Sequence, residues 1–477
     1  MTSPRPDAIV VGAGPNGLAA ALTLARAGLS VRVYEAAATP GGGTRTQELT
    51  LPGYRHDTCA TIVALAAVSP FFRTVDLAAR GVELVHPDAP LGHALGPDRA
   101  VLLERSIRET GEGLGDPWDA AAWQRMFEPL VRHAGRLADD VLGPVIHRPH
   151  HPLTLARFGF PALHSAAGLA RGRFHGEASR ALFAGLAAHA MLPLERPLTA
   201  GFGLVLGTLA HAVGWPMVRG GIGAIIDALV AELGSLGGEV VVDHRVAAIR
   251  ELPASRVVIF DTTPTALAII AGDRLPARTR RRFEAFRYGP GVCKVDWALD
   301  GPIPWHADGL RRAGTVHLGG SVDEIVAAEA EVATGRHPDR PFTLLVQYHP
   351  WDPTRAPAGR TTAWAYCHVP NGSDVDMTDR IEDQVERVAP GFRDRILARA
   401  THTASAMAAH DPNYVGGDIG SGVMDLRQLV FRPAPSLDPY HVGPGLYLCS
   451  SSTPPGGGVH GMSGYLAARS ALRRDLR

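Results

Sequence analysis

Ala8-Ile9-Val10-Val11 runs straight into Gly12-Ala13-Gly14-Pro15-Asn16-Gly17, and the next apolar run closes on Glu35. This spacing predicts a strand, a glycine-rich turn, a helix from Asn16 to Arg26 stopped by Gly28, and a second strand over Leu29–Glu35. Each part has a separate task in holding a dinucleotide. Gly12 permits the tight turn, Gly14 lets the backbone approach a pyrophosphate, and Gly17 lets the helix lie close to the strand. The helix N-terminus offers unpaired N–H groups to phosphates. Glu35 is placed to accept hydrogen bonds from a ribose diol. A bare glycine triplet would be weak evidence, but here the context fits on both sides.

The rest of the chain narrows the class. At 477 residues it has the length of about three domain-sized units. Lys plus Arg and Asp plus Glu both number 47, giving a formal net charge of zero, and no basic stripe is present, so nucleic acid is not an expected partner. The four cysteines, Cys59, Cys293, Cys367 and Cys449, form no C-x-x-C pair. That argues against a dithiol centre or zinc knuckle. Scattered cysteines and a polar start before the first strand lead us to expect a cytoplasmic protein. The Arg-heavy, Ala/Gly/Pro-rich composition is that of a GC-rich bacterial genome, and Lys294 is the single lysine.

A second glycine-rich turn, Gly41-Gly42-Gly43-Thr44-Arg45-Thr46, follows Pro40 and has the makings of an anion nest with Arg45 as a fixed charge. His147, His150 and His151 share a Pro-rich loop. With no carboxylate or cysteine beside them, they read as a solvated loop, and no metal site is expected. Leu198–Val218 carries no charged residue. It is long enough to span a bilayer, but its glycines, His211 and Pro216 favour buried helix and loop beside an apolar cavity. Peripheral membrane contact stays open. Arg219-Gly220-Gly221-Ile222-Gly223 then leads into a helix over Ala224–Leu236. Strands are expected at Glu239–Val242, Val246–Arg250, Arg256–Asp261, around Val292–Ala298, at Phe342–Tyr348 and at Thr361–Val369. Near the end, the strand Gly445–Cys449, the turn around Gly456–Gly458 and a helix over Met462–Arg473 make a third strand–turn–helix unit.

These separated pieces, in this order, resemble the phytoene-desaturase-like and amine-oxidase-like FAD-dependent oxidoreductases, and most closely the bacterial carotenoid desaturase/isomerase branch. The likeness rests on GAGPNG with Glu35, GGGTRT at 41–46, RGGIGAIIDAL at 219–229, DPNYVGGDIGSG at 411–422 and LYLCSSSTPPGGGVHGMSGYLAAR at 446–469. It spans essentially the whole chain. It implies an α/β fold: a Rossmann-like FAD-binding domain of the glutathione-reductase type, interleaved with an α+β substrate domain on a mixed sheet. The FAD-binding domain would comprise residues 1–74, 213–272 and 426–477. The substrate domain would comprise 75–212 and 273–425.

The resemblance also implies residue roles. Gly12, Gly14, Pro15, Asn16, Gly17 and Glu35 would hold the ADP half. Gly42, Gly43, Thr44 and Arg45 would lie along the pyrophosphate and flavin, and Val246 would meet the adenine. Ser452, Val459, His460, Gly461 and Met462 would sit at the isoalloxazine. The link between the strands near Val246 and Val257 is shorter than is usual in the family. Lys294 looks like the superfamily lysine that can hold a water against flavin N5; the alternative is a chance surface lysine. His56, with Asp57, either faces the flavin or caps a strand. Asp411–Asp418 either shapes the cavity wall or merely connects.

The expected activity is hydride transfer from a substrate C–H to a non-covalently bound FAD, on a largely apolar small molecule, with Lys294, His460 and His56 as candidate catalytic residues. The electron acceptor is left open among dioxygen, a quinone and another carrier. An amine or amino-acid oxidase, a redox-neutral isomerase using reduced FAD and a flavin-stabilised interaction protein are the alternatives.

Overall fold

A computed structural model describes residues 5–477. Ala8–Val11 is a strand buried on both faces. A strand apolar at every position needs cover above and below, and a parallel sheet with helices on both faces provides it. It pairs in parallel with Val31–Tyr34 on one side and Val257–Phe260 on the other. The sheet has six strands, in the order His441–Gly443, Leu446–Leu448, Val257–Phe260, Ala8–Val11, Val31–Tyr34, Glu239–Val241. Only the His441–Gly443 edge runs antiparallel. Three distant stretches of chain therefore build one doubly wound layer.

The first helix, Pro15–Arg26, begins one residue earlier than the sequence reading places it, because Pro at its first position is already preset for a helical φ. It lies directly against the last helix, Met462–Arg474. A Cβ on Gly464 would stand 1.8 Å from the Asn16 carbonyl oxygen, so only glycine allows the two backbones to meet. The opposite face of the sheet packs Ile9, Val11 and Phe260 on Leu267 and Phe283.

The second layer is a seven-stranded mixed sheet in the order Ile396–His402, Gly291–Leu299, Thr361–Val369, Thr343–Gln347, Ala313–Leu318, Ala89–Ala94, Ala100–Leu103. Its pairs are antiparallel except Ala313–Leu318 with Ala89–Ala94. Helices between Ile107 and Ala212 cover part of it.

The uncharged stretch from Leu198 forms the helix Thr199–Ala212. Among the described residues, no helix is long and apolar enough to cross a membrane. Its glycines admit aromatic rings: a Cβ on Gly207 would stand 2.5 Å from the Phe127 ring, and one on Gly203 3.1 Å from Phe183. Its apolar character is that of a core helix.

One expected strand is not formed. Val246–Arg250 is irregular, with a single 3-10 turn at Ile249–Glu251. Glu239–Val241 is the sheet edge, so no further strand stands beyond it to pair with this segment. Asp243, at φ +52°, turns the chain away, and the His244 N–H donates to the Glu35 carbonyl. Val246 is nonetheless buried, packed with Val11 and Tyr34.

The Gly464 contact gives a signed prediction. Helix propensity alone favours Gly→Ala by up to about 1 kcal/mol. At exposed Gly172, where an added Cβ meets nothing within 4 Å, Gly172→Ala should be neutral or stabilising. Gly464→Ala should instead destabilise by about 1–3 kcal/mol or more, because backbone cannot give way as a side-chain tip can. Equal shifts in urea midpoint for the two variants would contradict this packing.

Candidate functional site

At the carboxyl ends of the central strands, three glycine-rich turns converge. The first runs from Gly12 to Gly17. The second, Gly42–Thr44, is stitched to it by a hydrogen bond from the Gly41 N–H to the Ala13 carbonyl at 2.9 Å. The third, Gly456–Gly461, enters the last helix. Between them lies a cleft with ≈ 690 Å³ of empty space. Of the residues singled out from sequence, Gly14, Pro15, Asn16, Gly42, Gly43, Thr44, Ser452 and Val459 line it. The buried Asn16 Oδ1 has no protein partner, so the cleft offers an unsatisfied polar atom to a ligand. A second cleft beside Asp98 and Glu104 has no such glycine cradle.

Asp261 is the residue that sequence reasoning missed. It follows the Val257–Phe260 strand and lies against all three glycines of the first turn, with its carboxyl toward Gly14 and Gly17 and its carbonyl toward Gly12. Its Oδ2 accepts from the Gly17 N–H at 2.8 Å. A Cβ on Gly12 would stand 2.7 Å from its carbonyl oxygen, and one on Gly14 2.8 Å from its Oδ2. The glycines thus serve strand-to-strand approach as well as ligand access. Burial, with Asp411 and Glu35 adding negative charge nearby, pushes the Asp261 carboxyl up to about 7 against the pull of the Gly17 N–H. A group that takes a proton near neutrality beside a helix N-terminus is compatible with a phosphate there. The available signal was an acid placed directly after an apolar strand, in FDTTP.

Asp411, Asn413, Tyr414, Ile419 and Ser421 also line the cleft, so the DPNY segment shapes the wall. Asn413 ties it to the Rossmann-like layer. Its Oδ1 accepts from the Thr263 N–H at 3.1 Å, and its Nδ2 donates to the Asp261 carbonyl at 3.2 Å. Gly43 is glycine because a Cβ there would stand 1.8 Å from the Tyr414 hydroxyl.

Glu35 and Arg45 are turned to each other and do not line the cleft. Glu35 Oε2 accepts from the Ala13 N–H at 2.8 Å, Oε1 accepts from the Ala37 N–H at 2.9 Å, and Arg45 lies 3.4 Å from Oε1. In this structure Glu35 fixes the first turn. Val246 is likewise absent from the lining.

His460 is bonded within its own turn. Its Nε2–H donates to the Gly456 carbonyl and its Nδ1 accepts from the Met462 N–H, both at 3.0 Å. Burial lowers its pKa to about 4, so it is neutral at pH 7. With both nitrogens engaged, it holds the third turn on the N-terminus of the last helix. Gly461 at φ +65° opens that helix, and Met462 is its first residue.

Lys294 sits mid-strand, 1 % exposed, and is not part of the cleft wall. Its ammonium pairs with Asp296, two residues on along the same face, and lies 5.1 Å from the Trp364 ring centre. Burial would raise the Asp296 carboxyl, but Lys294 and His56 together hold it below the usual range. His56 Nδ1 is 3.5 Å from Asp296, and its Nε2 is 2.8 Å from the Thr50 hydroxyl. The chance-surface reading of Lys294 is therefore excluded by its burial.

Asp57, beside His56, is a second hub. It accepts two 3.0 Å bonds from Arg355, one at 2.7 Å from Thr46, and one at 3.0 Å from the Ile222 N–H. The pair fastens the Gly42–Thr46 turn to the segment entering the Gly223–Ser235 helix and to the loop after the Thr343–Gln347 strand.

Cys59 lines the cleft, while Cys449 is fully buried in the core. Burial raises the thiol pKa of both, which makes each a poor nucleophile.

The loop histidines need a correction. His147 and His150 do have a carboxylate beside them, supplied by Asp140 from the preceding helix at 3.1 and 3.2 Å. Asp140 stands seven residues before His147, outside the loop itself.

Two energetic consequences follow. Asp57→Ala strands the Arg355 guanidinium without its main partner, and should cost about 3–5 kcal/mol in denaturant unfolding; a loss below 1 kcal/mol would contradict a dry ion pair. His93 and His211, like His460, are buried and lowered to about 4. The unfolded chain takes protons on them below about 6.5, and the folded chain does so only near 4. Their contribution is intact above pH 6.5 and is lost as pH falls toward 4, so Tm should drop across that window. A flat Tm between pH 6.5 and 4.5 would contradict it.

Comparison with known proteins agrees with this architecture. Residues 10–75 match the NAD(P)-binding Rossmann-like domain family. The chain is 28% identical to pyridine nucleotide-disulfide oxidoreductase domain-containing protein 2 of Rattus norvegicus, over 99% of this chain and 94% of that one. It is 25% identical to the neurosporene-forming phytoene desaturase of Rhodobacter capsulatus, covering 96% and 92%. A cofactor-site redesign of putrescine oxidase superposes with a TM-score of 0.61 at 17% identity, over 98% and 99% of the two chains, and so shares the fold. The chain thus carries a Rossmann-like dinucleotide-binding domain at residues 10–75, is similar along nearly its whole length to these two relatives, and shares its fold with putrescine oxidase.

Proposed function

We propose that the protein is an FAD-dependent dehydrogenase of the desaturase type, acting on a largely apolar small molecule. The observation that carries this reading is the convergence of three glycine turns from distant parts of the chain on one cleft with an unpartnered Asn16 Oδ1. A nicotinamide-only Rossmann site does not require the second and third turns. Gly14–Gly17 and Gly42–Thr44 would hold the phosphates and the adjoining flavin ring, and Ser452 and Val459 its far side. The N-terminus of the Met462–Arg474 helix stabilises negative charge there. Bound in this cleft, a flavin would supply hydride uptake from a substrate C–H, and the double bond would form as the neighbouring carbon gives up a proton to a water.

The chain's own residues set the surroundings. Met191, Val292, Met407 and Tyr414 form an apolar cluster that touches Cys59 and Ile419 of the cleft. Such a wall excludes water and favours an apolar substrate, in keeping with the name of the phytoene desaturase relative. Lys294, neutralised by Asp296, is suited to hold a water rather than to attract an anion. Cys59 and Cys449, with raised thiol pKa values, favour a non-covalent cofactor.

Anaerobic mixing of the FAD-loaded protein with candidate substrates tests the reading. Polyene or terpenoid hydrocarbons in micelles should bleach the flavin, and reoxidation by dioxygen or by a quinone then identifies the acceptor. Bleaching by primary amines alone, with peroxide released in air, would replace it with an amine oxidase. Lys294→Met should slow flavin reduction or reoxidation about tenfold or more while FAD affinity changes less than about threefold. Unchanged rates in both half-reactions would remove Lys294 from the mechanism.

A further inference from the structure

The loop between the Ala134–Val141 and Pro152–Ala162 helices brings three ligand atoms together away from the cofactor cleft. Asp140, His147 and His150 each offer one ligand atom, and the three lie within 4.8 Å of one another. The carboxylate oxygen is 3.1 Å from the first nitrogen and 3.2 Å from the second. Ligands at about 2.0–2.1 Å in a tetrahedral shell stand about 3.3 Å apart, so the spacing is that of a zinc-class coordination sphere.

The orientation of the groups points the same way. His147 Nδ1 lies 2.8 Å from the Pro144 carbonyl oxygen, which can only accept, so Nδ1 carries the hydrogen. Its Nε2 then faces a carboxylate oxygen at 3.1 Å, a contact completed either by a proton on that nitrogen or by a metal ion between the two. A backbone carbonyl that fixes the far nitrogen of a histidine is the usual support of a metal ligand. The carboxylate is anchored too: Oδ1 accepts from the His150 N–H at 2.7 Å and Oδ2 from the His151 N–H at 2.9 Å. The Asp140 side chain is fully buried, while those of His147 and His150 are 19% and 68% exposed, leaving an entry path. Asp139, paired with Arg73, lies 3.9 Å from His151 and faces the same loop.

We propose that Asp140, His147 and His150 form a site for a divalent late transition metal of the Zn²⁺ class, with at least one open position. The bound ion staples the loop 142–151 to the end of the Ala134–Val141 helix. The site is independent of the flavin reading and takes no part in the redox step.

Tag-free, metal-stripped protein titrated with ZnCl₂ by calorimetry at pH 7.5 tests it. One ion per chain should bind, with affinity reduced about tenfold or more by His147→Ala and by His150→Ala, both of which keep the backbone bonds to Asp140. Zinc should raise the Tm of the wild type and not that of the double variant, and zinc-edge X-ray absorption should show two imidazoles at about 2.0 Å. The absence of stoichiometric binding, or equal affinity in the variants, would overturn the site. So would a Tm lowered by His147→Ala in metal-free protein with no response to zinc in the wild type, because Asp140 and His147 then form a simple ion pair.

Discussion

Everything in this molecule depends on backbone meeting backbone at the N-terminus of one helix. Gly17 comes so near the Gly12 carbonyl oxygen that a Cβ would stand 2.1 Å from it. Gly464 approaches Asn16 in the same way from the far end of the chain, and Asp261 closes on the turn from the middle. Hydrophobic burial drives the sheet together. These contacts, which tolerate no side chain, set which segments can stand beside the first helix. The cleft is what remains open where they meet.

The second organising element is buried charge. Asp57 with Arg355, and Lys294 with Asp296, are nearly water-free pairs on either side of His56. Buried pairs of this kind add little net stability, because desolvation offsets attraction, but they penalise misregister strongly. Here they hold the second glycine turn and the Gly291–Leu299 strand in a fixed relation. The lysine suits that point as a compact cation with three rotatable donors, which a planar guanidinium would not replace.

Much of the frame was legible from local pattern. Ala8–Val11 reads as buried strand from its unbroken apolar run, and Gly28 as a helix stop, confirmed by its φ of +84°. Thr361–Val369 matches its strand end to end. What failed depended on long-range partners. Val246–Arg250 has a strand-like composition but no neighbour to pair with. Asp140 meets the loop histidines only once its helix brings it to a loop beyond it. Asp261 looks like a strand-end acid until the first turn folds over it. Some of the side chains singled out by resemblance also have partners within the protein. His460 bonds both the third turn and the Met462 N–H, and Glu35 and Arg45 meet at the first turn.

The central claim is that three turns make one site for FAD rather than for a nicotinamide nucleotide alone. Mass-spectrometric identification of the small molecule in the supernatant after acid precipitation tests it most directly. The account predicts FAD at close to one per chain, released without proteolysis, after purification or after incubation with the free cofactor. A protein that retains no flavin after such incubation, yet binds NAD(P) stoichiometrically, would contradict it.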